Sequence, residues 1–384
     1  MIKIGITGQA GFIGTHLYNI LGLQKDKYRV IEFADDFFQN PASMDSFIRQ
    51  CDVIVHLAAV NRHADPQELF NINMGLVKIL IQAMDNAGVR PYVIMASSLQ
   101  EERDNLYGRS KKEGRLLFNS WADNNDAMFT GLIIPNVFGP FGVPFYNSVI
   151  STFSYQLTHS QEPRIEIDAE LKLIYINDLV NQIDDLIIEN AENISKSNPL
   201  NMTKPPRVMY VEPQARKKVS DLLVIMKKFH EQYVINGIIP DLSDRFELSL
   251  FNTFRSYLPE EHYPVKYTRH SDERGDFVEV MKFHSGGQAS YSSTKPGITR
   301  GNHFHIRKME RFSVIRGKAS IKLRKYGTDQ VSEYIIDRQE PAYIDIPIWY
   351  THNITNLGEE DLVTLFWINE FYDPSDPDTY FEKI

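Results

Sequence analysis

Apolar and polar positions follow two different periods along the first half of the chain. Short apolar runs (IKIGIT, YRVIEF, DVIVHLAA, PYVIMASS, FTGLIIP) are bounded by turn residues and predict strands. Between them, GFIGTHLYNILG, SMDSFIRQ, LFNINMGLVKILIQAMDNAG and SKKEGRLLFNSWADNN repeat their apolar positions at helical spacing. Strand alternating with helix predicts an α/β fold, a doubly wound parallel sheet covered on both faces. From about Asn147 to Pro259 the pattern is helix-rich, with a turn-laden stretch, SKSNPLNMTKPPRV, in its middle and a helix-like SDRFELSLFNTFRSYL near its end. Beyond about Tyr263 the period becomes that of strands. FVEVMKF, ERFSVIRG, ASIKLRKY, SEYIID, AYIDIP and LVTLFWI, separated by Gly, Asp and Asn, predict an antiparallel all-β sandwich or barrel. Two domains are expected, residues 1–258 and 263–384, linked through LPEEHYP.

Composition narrows the function classes. At 384 residues, 42% hydrophobic and 24% charged, the chain can bury a sizeable core. A net charge of -9 without blocks of like charge argues against a nucleic-acid surface. The single cysteine, Cys51, precludes an internal disulfide framework and suits a reducing compartment. MIKIGITGQAGFIG lacks the basic flank and apolar core of a signal peptide, and no run of about 18 uncharged apolar residues occurs, so a cytoplasmic protein without a membrane partner is expected.

Three groups of residues carry candidate chemistry. Gly8, Gly11 and Gly14 lie between a strand and a helix, where missing β-carbons let a pyrophosphate approach the free N–H groups of the helix start. At the end of the second predicted strand, where the adenosine ribose is read, stand Ala34 and Asp35; no arginine is at hand for a 2′-phosphate, and the residues leave NAD versus NADP open. The second group is Ser98 with Tyr107 and Lys111, four residues apart and therefore on one helix face. An ammonium beside a phenol favours the phenolate, so Tyr107 could exchange a proton with a carbinol oxygen while hydride moves, with Ser98 bonded to the same oxygen. The third is GITRGNHFHIRKMERFSVIRG: His303 and His305 share one strand face, Glu310 follows, and His352 comes from a later strand, a donor set suited to zinc.

TGQAGFIG, DVIVHLAA, SS, YGRSK, IIPNVFGP and YINDLV occur in the order of the extended short-chain dehydrogenase/reductases, which the first 250 or so residues resemble. The resemblance implies Ser98, Tyr107 and Lys111 as the catalytic set. It also implies a cofactor site at Gly8, Gly11, Phe12, Ile13, Gly14, Ala34, Asp35, Leu57, Ala58, Ala59, Tyr107 and Lys111, with Asn136 near a nucleotide-sugar substrate. Gly297 to Gly317 matches the first cupin motif residue for residue; of the second, Pro347, His352 and Asn356 are in place, while Pro341 and Trp349 stand where glycines are expected. DERGDFVEV and GQASYSSTKPGITRGNHFH resemble the 3,5-epimerases of dTDP-4-keto-deoxy sugars, which implies Arg274 and Arg300 near substrate, His303 as base or metal ligand, and Tyr372 as a proton donor.

The whole arrangement resembles the bifunctional capsular-polysaccharide enzymes that pair a 3-epimerase with a 4-reductase. That implies C3 epimerisation of a UDP-2-acetamido-2,6-dideoxy-4-hexulose in a jelly-roll cupin domain, then reduction of the C4 ketone, with NADPH or alternatively NADH, zinc and a homodimer. An alternative keeps a nucleotide-sugar 4-ketoreductase and gives the cupin a dimerisation or ligand-sensing role.

Overall fold

In the first half, parallel strands lie in the order Tyr28–Ile31, Ile2–Thr7, Val53–His56, Tyr92–Ser98, Phe129–Ile134 and Val208–Tyr210, forming a six-stranded sheet. Val53–His56 and Phe129–Ile134 are buried at every position, which is why these runs carry no polar alternation. The computed structural model describes residues 1–195, 204–273 and 275–384. The central part of the expected SKSNPLNMTKPPRV loop, 196–203, and the expected substrate residue Arg274 lie outside the described residues.

Helices cover the sheet as the periodicity predicts. Pro66–Ala87 begins at Asp65, whose carboxylate accepts from the Gln67 and Glu68 amides, and ends at Gly88 in the left-handed conformation. Its buried Val77, Leu80 and Met84 join Phe47, Phe118, Trp121 and Phe129 in one hydrophobic core.

By contact the chain divides into Met1–Phe138 with Glu170–Lys217, and Gly139–Ala169 with Lys218–Ile384. The second unit contains two five-stranded sheets, the antiparallel all-β architecture expected of the C-terminal half. One runs Val265–Lys266, Ala342–Ile346, Glu310–Arg316, Leu362–Ile368, Gln288–Thr294; the other runs Val331–Asp337, Lys318–Lys325, Tyr350–Asn356, Thr299–Phe304, Tyr380–Phe381. Val314, Ile321, Leu323, Ile336, Ile344, Ile354 and Leu362 form its core. Of FVEVMKF only the first residues are strand: Gly275–Val278 pairs with Arg269–Asp272 in a two-stranded hairpin that joins neither sheet.

The residues 218–258, grouped by sequence with the first half, pack in the same unit as the C-terminal strands. Buried polar contacts tie them there. Arg311 donates through Nε and Nη2 to the two Asp345 oxygens at 2.7 and 2.8 Å, and these side chains are 1% and 0% exposed. The Tyr233 hydroxyl donates to Asp345 at 2.5 Å, and Arg255 Nη2 donates to the Ile346 carbonyl at 2.8 Å. Burial works against the Asp345 carboxylate, but the Arg311 guanidinium outweighs it and holds its pKa below the ordinary carboxylate value. No helix among the described residues is long and apolar enough to cross a membrane.

Removing one partner strands a charge in a dry site, so Asp345→Ala should destabilise the second unit by about 3–5 kcal/mol. Urea denaturation followed by Trp349 and Trp367 fluorescence measures this; the double change Arg311→Met with Asp345→Leu should recover part of the loss, because the Arg311 charge no longer stands unpaired while buried Arg255 still lacks its carboxylate.

Candidate active site and metal centre

From Ile2–Thr7 the chain crosses one way to Tyr28–Ile31 and the other way to Val53–His56, which opens a crevice at the carboxyl ends of these strands. Gly8 sits there at φ 71, and a β-carbon built on it would fall 2.8 Å from the Ala58 amide nitrogen. A β-carbon on Gly14 would fall 2.2 Å from the Gly8 carbonyl. Gly11 starts helix Phe12–Leu23 with neither a side-chain cap nor an acidic residue in the first turn. Phe12 and Ile13 are half-buried at that start, and Leu57 and Ala58 face Gly8, with the Leu57 amide bonded to the Thr7 carbonyl at 3.1 Å and half-buried Ala59 next in the chain. A cradle that side chains would fill and uncovered amides fit a dinucleotide pyrophosphate. Ala34 and Asp35, both exposed, open the 3₁₀ turn that follows the second strand.

Ser98 ends the strand Tyr92–Ser98, and its Oγ accepts from the Gln100 amide at 3.2 Å. Helix Leu106–Asn124 lies against the turn that follows: a β-carbon on Gly108 would meet the Gln100 carbonyl oxygen at 1.9 Å, so only glycine allows that approach. The same helix presents Tyr107 and Lys111. Lys111 is buried, donates to the Ala96 carbonyl at 3.2 Å, and lies 5.8 Å from the centre of the Tyr107 ring. Burial pushes its pKa down to about 8, against the opposing pull of Glu101. Buried His56 stays a neutral imidazole: desolvation first, then the Lys111 charge, push its pKa down to about 3. Asn136 is exposed on strand Asn136–Phe138 and donates to the Lys172 carbonyl at 3.1 Å.

In the second unit, the ligand atoms of His303, His305, Glu310 and His352 lie within 4.8 Å of one another. His303 and His352 are directly paired on adjacent strands, and Glu310 comes from the facing sheet. Glu310 Oε2 is 3.1 Å from His305 Nε2 and 3.2 Å from His352 Nε2. His352 Nε2 is nevertheless buried without a hydrogen bond of good geometry. Burial opposes the Glu310 carboxylate, but the His305 and His352 rings beside it outweigh burial and hold its pKa well below the ordinary value. Desolvation, then His352 and His305, push His303 down to about 3, so its imidazole is neutral and keeps a lone pair. Three imidazoles, a carboxylate and an orphaned ring nitrogen fit a divalent ion of the zinc type.

The two remaining predicted residues stand apart from that cluster's contacts. Arg300 is exposed and donates to the Ser293 carbonyl at 3.1 Å. Tyr372 is exposed; its amide is bonded to Gln288 Oε1 at 3.2 Å and its ring lies over Lys308. Gln288 and Glu310 flank Ile368 in one cross-strand row.

Sequence reasoning missed the side chains that hold these groups. Buried Asn73 bonds the Val60 amide at 2.7 Å and Ser110 Oγ at 3.1 Å, joining the loop after the third strand to the Tyr107 helix. Glu101 takes a 2.6 Å ion pair from Arg115 and a hydrogen bond from Ser97. Only Asn105 had a local signal: it caps the Tyr107 helix by accepting from the Gly108 amide at 2.7 Å.

Residues 4–202 match the NAD dependent epimerase/dehydratase family, and residues 270–380 match the polysaccharide biosynthesis C-terminal domain. A UDP-2-acetamido-2,6-beta-L-arabino-hexul-4-ose reductase of Pseudomonas aeruginosa is 31% identical across 99% of this chain and 98% of its own. The crystal structure of the capsular polysaccharide assembling protein CapF from Staphylococcus aureus superposes with a TM-score of 0.61 at 32% identity, covering 100% of both chains. The spore coat polysaccharide biosynthesis protein SpsL of Bacillus subtilis is 28% identical over 29% of this chain and 82% of its own. A match over more than half of the chain, together with a relative of nearly equal length, establishes that this protein belongs to the NAD dependent epimerase/dehydratase family.

Proposed function

We propose that the protein is a bifunctional nucleotide-sugar enzyme. Its C-terminal cupin half inverts C3 of a UDP-2-acetamido-2,6-dideoxy-4-hexulose. Its N-terminal half then reduces the C4 ketone with NADPH or NADH, giving UDP-2-acetamido-2,6-dideoxy-L-talose on the way to UDP-N-acetyl-L-fucosamine. The observation that carries this reading is the coexistence of two built sites in one chain: Ser98, Tyr107 and Lys111 around one strand end, and four converging donors in the other unit. The hexul-4-ose named for the Pseudomonas relative supplies the substrate class. A homodimer working in the cytoplasm belongs to the same reading.

A nicotinamide at the glycine turn supplies hydride when bound, and a divalent ion among His303, His305, Glu310 and His352 supplies a Lewis acid for a carbonyl oxygen. Tyr107 gives its proton to the C4 oxygen as that carbon becomes a carbinol. Lys111 favours the phenolate that remains, and Ser98 hydrogen-bonds the same oxygen. In the cupin half, the C4 ketone makes the C3 hydrogen acidic because the resulting charge delocalises into an enolate. His303, a neutral imidazole whose lone pair is available, either completes the ligand set or takes the proton from C3. Arg300 contributes positive charge near the substrate, and Tyr372 returns a proton to the opposite face of C3. Epimerisation comes first, because the C3 hydrogen loses its acidity once C4 is an alcohol.

Proton NMR in D2O tests the division of labour. With a UDP-4-keto-6-deoxy-HexNAc and no nicotinamide, deuterium should enter C3. Tyr107→Phe should keep that exchange and lose reduction by about 10²–10⁴-fold, the range of a general acid. Reduction by the wild type without any exchange would leave the cupin as a dimerisation or ligand-sensing module.

Asp35 and Asp36 give a second test. A carboxylate beside the adenosine ribose repels a 2′-phosphate. Asp35→Arg should therefore raise the ratio of kcat/KM for NADPH over NADH by about tenfold or more, equivalent to about 1.4 kcal/mol; an unchanged ratio would place cofactor selection elsewhere.

A further inference from the structure

The C-terminal tail is part of the donor cluster's scaffold. After the last barrel strand, Leu362–Ile368, the chain returns along Thr299–Phe304, pairing Tyr380 with Phe304 and Phe381 with His303. The Tyr380 ring stacks on Phe304 with centres 5.3 Å apart. Just ahead of that pairing lies Asp378, 4% exposed and at φ 41.

Asp378 makes contact through both its side chain and its backbone. Its carboxylate accepts from three successive amides: Ile306 at 3.1 Å, Arg307 at 3.0 Å and Lys308 at 2.8 Å. These amides form the turn between His305 and Glu310. Its carbonyl oxygen lies 2.6 Å from His305 Nδ1. A carbonyl can only accept, so Nδ1 carries a hydrogen, and Nε2 is the ring atom that faces Glu310 Oε2, at 3.1 Å. Neighbouring pairs hold the tail in place: Arg307 to Glu370 at 3.0 Å and to Asp376 at 2.9 Å, and Lys308 Nζ to the Pro377 carbonyl at 2.7 Å.

We propose that Asp378 is the positioning residue of the metal centre, fixing the His305 tautomer and the turn that sets His305 against Glu310. This rests on the metal reading of the four donors. A carboxylate that only capped a turn would satisfy the three amides; it would have no need to place its own carbonyl on a ligand ring.

The test uses the full chain, with zinc affinity read by competition against a chromophoric chelator and the visible spectrum of the cobalt(II)-loaded protein. Asp378→Ala should weaken zinc by about 10–100-fold, the usual cost of losing a partner that orients a ligand, and alter the cobalt bands. Asp378→Asn keeps an acceptor oxygen and tolerates the left-handed backbone, so it should lose less than the alanine variant. Nitrogen NMR of metal-free wild type should find a hydrogen on His305 Nδ1, a readout that needs no variant to fold. Wild type that takes up no metal would remove the metal reading itself. Wild type that binds zinc, with Asp378→Ala unchanged in affinity and spectrum, or His305 found as the Nε2–H tautomer, would overturn the role of Asp378 and leave the metal reading standing.

Discussion

Arg311 and Asp345, buried together on neighbouring strands, set the geometry of the C-terminal unit. Each ion alone would cost several kcal/mol to desolvate, so the pair holds only while both strands keep their register and Tyr233 closes over Asp345. Register is what the donor cluster needs. Glu310 and Arg311 are adjacent on one strand, and successive side chains point to opposite faces. A strand that places Arg311 against Asp345 on the outer face therefore places Glu310 towards the histidines on the inner one. A slip of one residue would exchange the two, burying a guanidinium among imidazoles.

The same constraint governs both candidate sites. Lys111 is held where water is scarce, with one backbone carbonyl as its hydrogen-bond partner, and its pKa falls accordingly. Glu310 is held where water is scarce with two imidazoles, and its pKa falls for the opposite reason: partners that favour its charged form outweigh burial. A lysine with a lowered pKa thus stands in one unit, while the other unit keeps an ionised carboxylate near the neutral imidazole of His303.

Local patterns made much of this legible. The glycine turn, the Tyr107–Lys111 spacing and the His303–His305–Glu310 run are short-range strings whose chemistry follows from helix or strand geometry alone. Strand and helix order followed from the pattern because helices bury one stripe and the central strands, buried on both faces, read as unbroken apolar runs. What stayed hidden is long-range. Asn73 reaches Ser110 and His305 reaches Asp378 across 37 and 73 residues of chain, and nothing in either neighbourhood marks the partner. The tail WINEFYDPSDPDTYF looks like a turn-rich end, yet Asp378 within it carries three amide bonds and a ligand ring.

By itself the sequence determined the element types, the antiparallel character of the C-terminal half and the residues able to do chemistry, because propensity, periodicity and donor identity are properties of neighbours along the chain. Tertiary structure alone decided that residues 218–258 pack with the C-terminal strands, which face of the Glu310 strand is inner, and which carbonyl orients His305. Those choices depend on where buried charges and polar groups find partners, and a partner for a desolvated group is selected by distance in space.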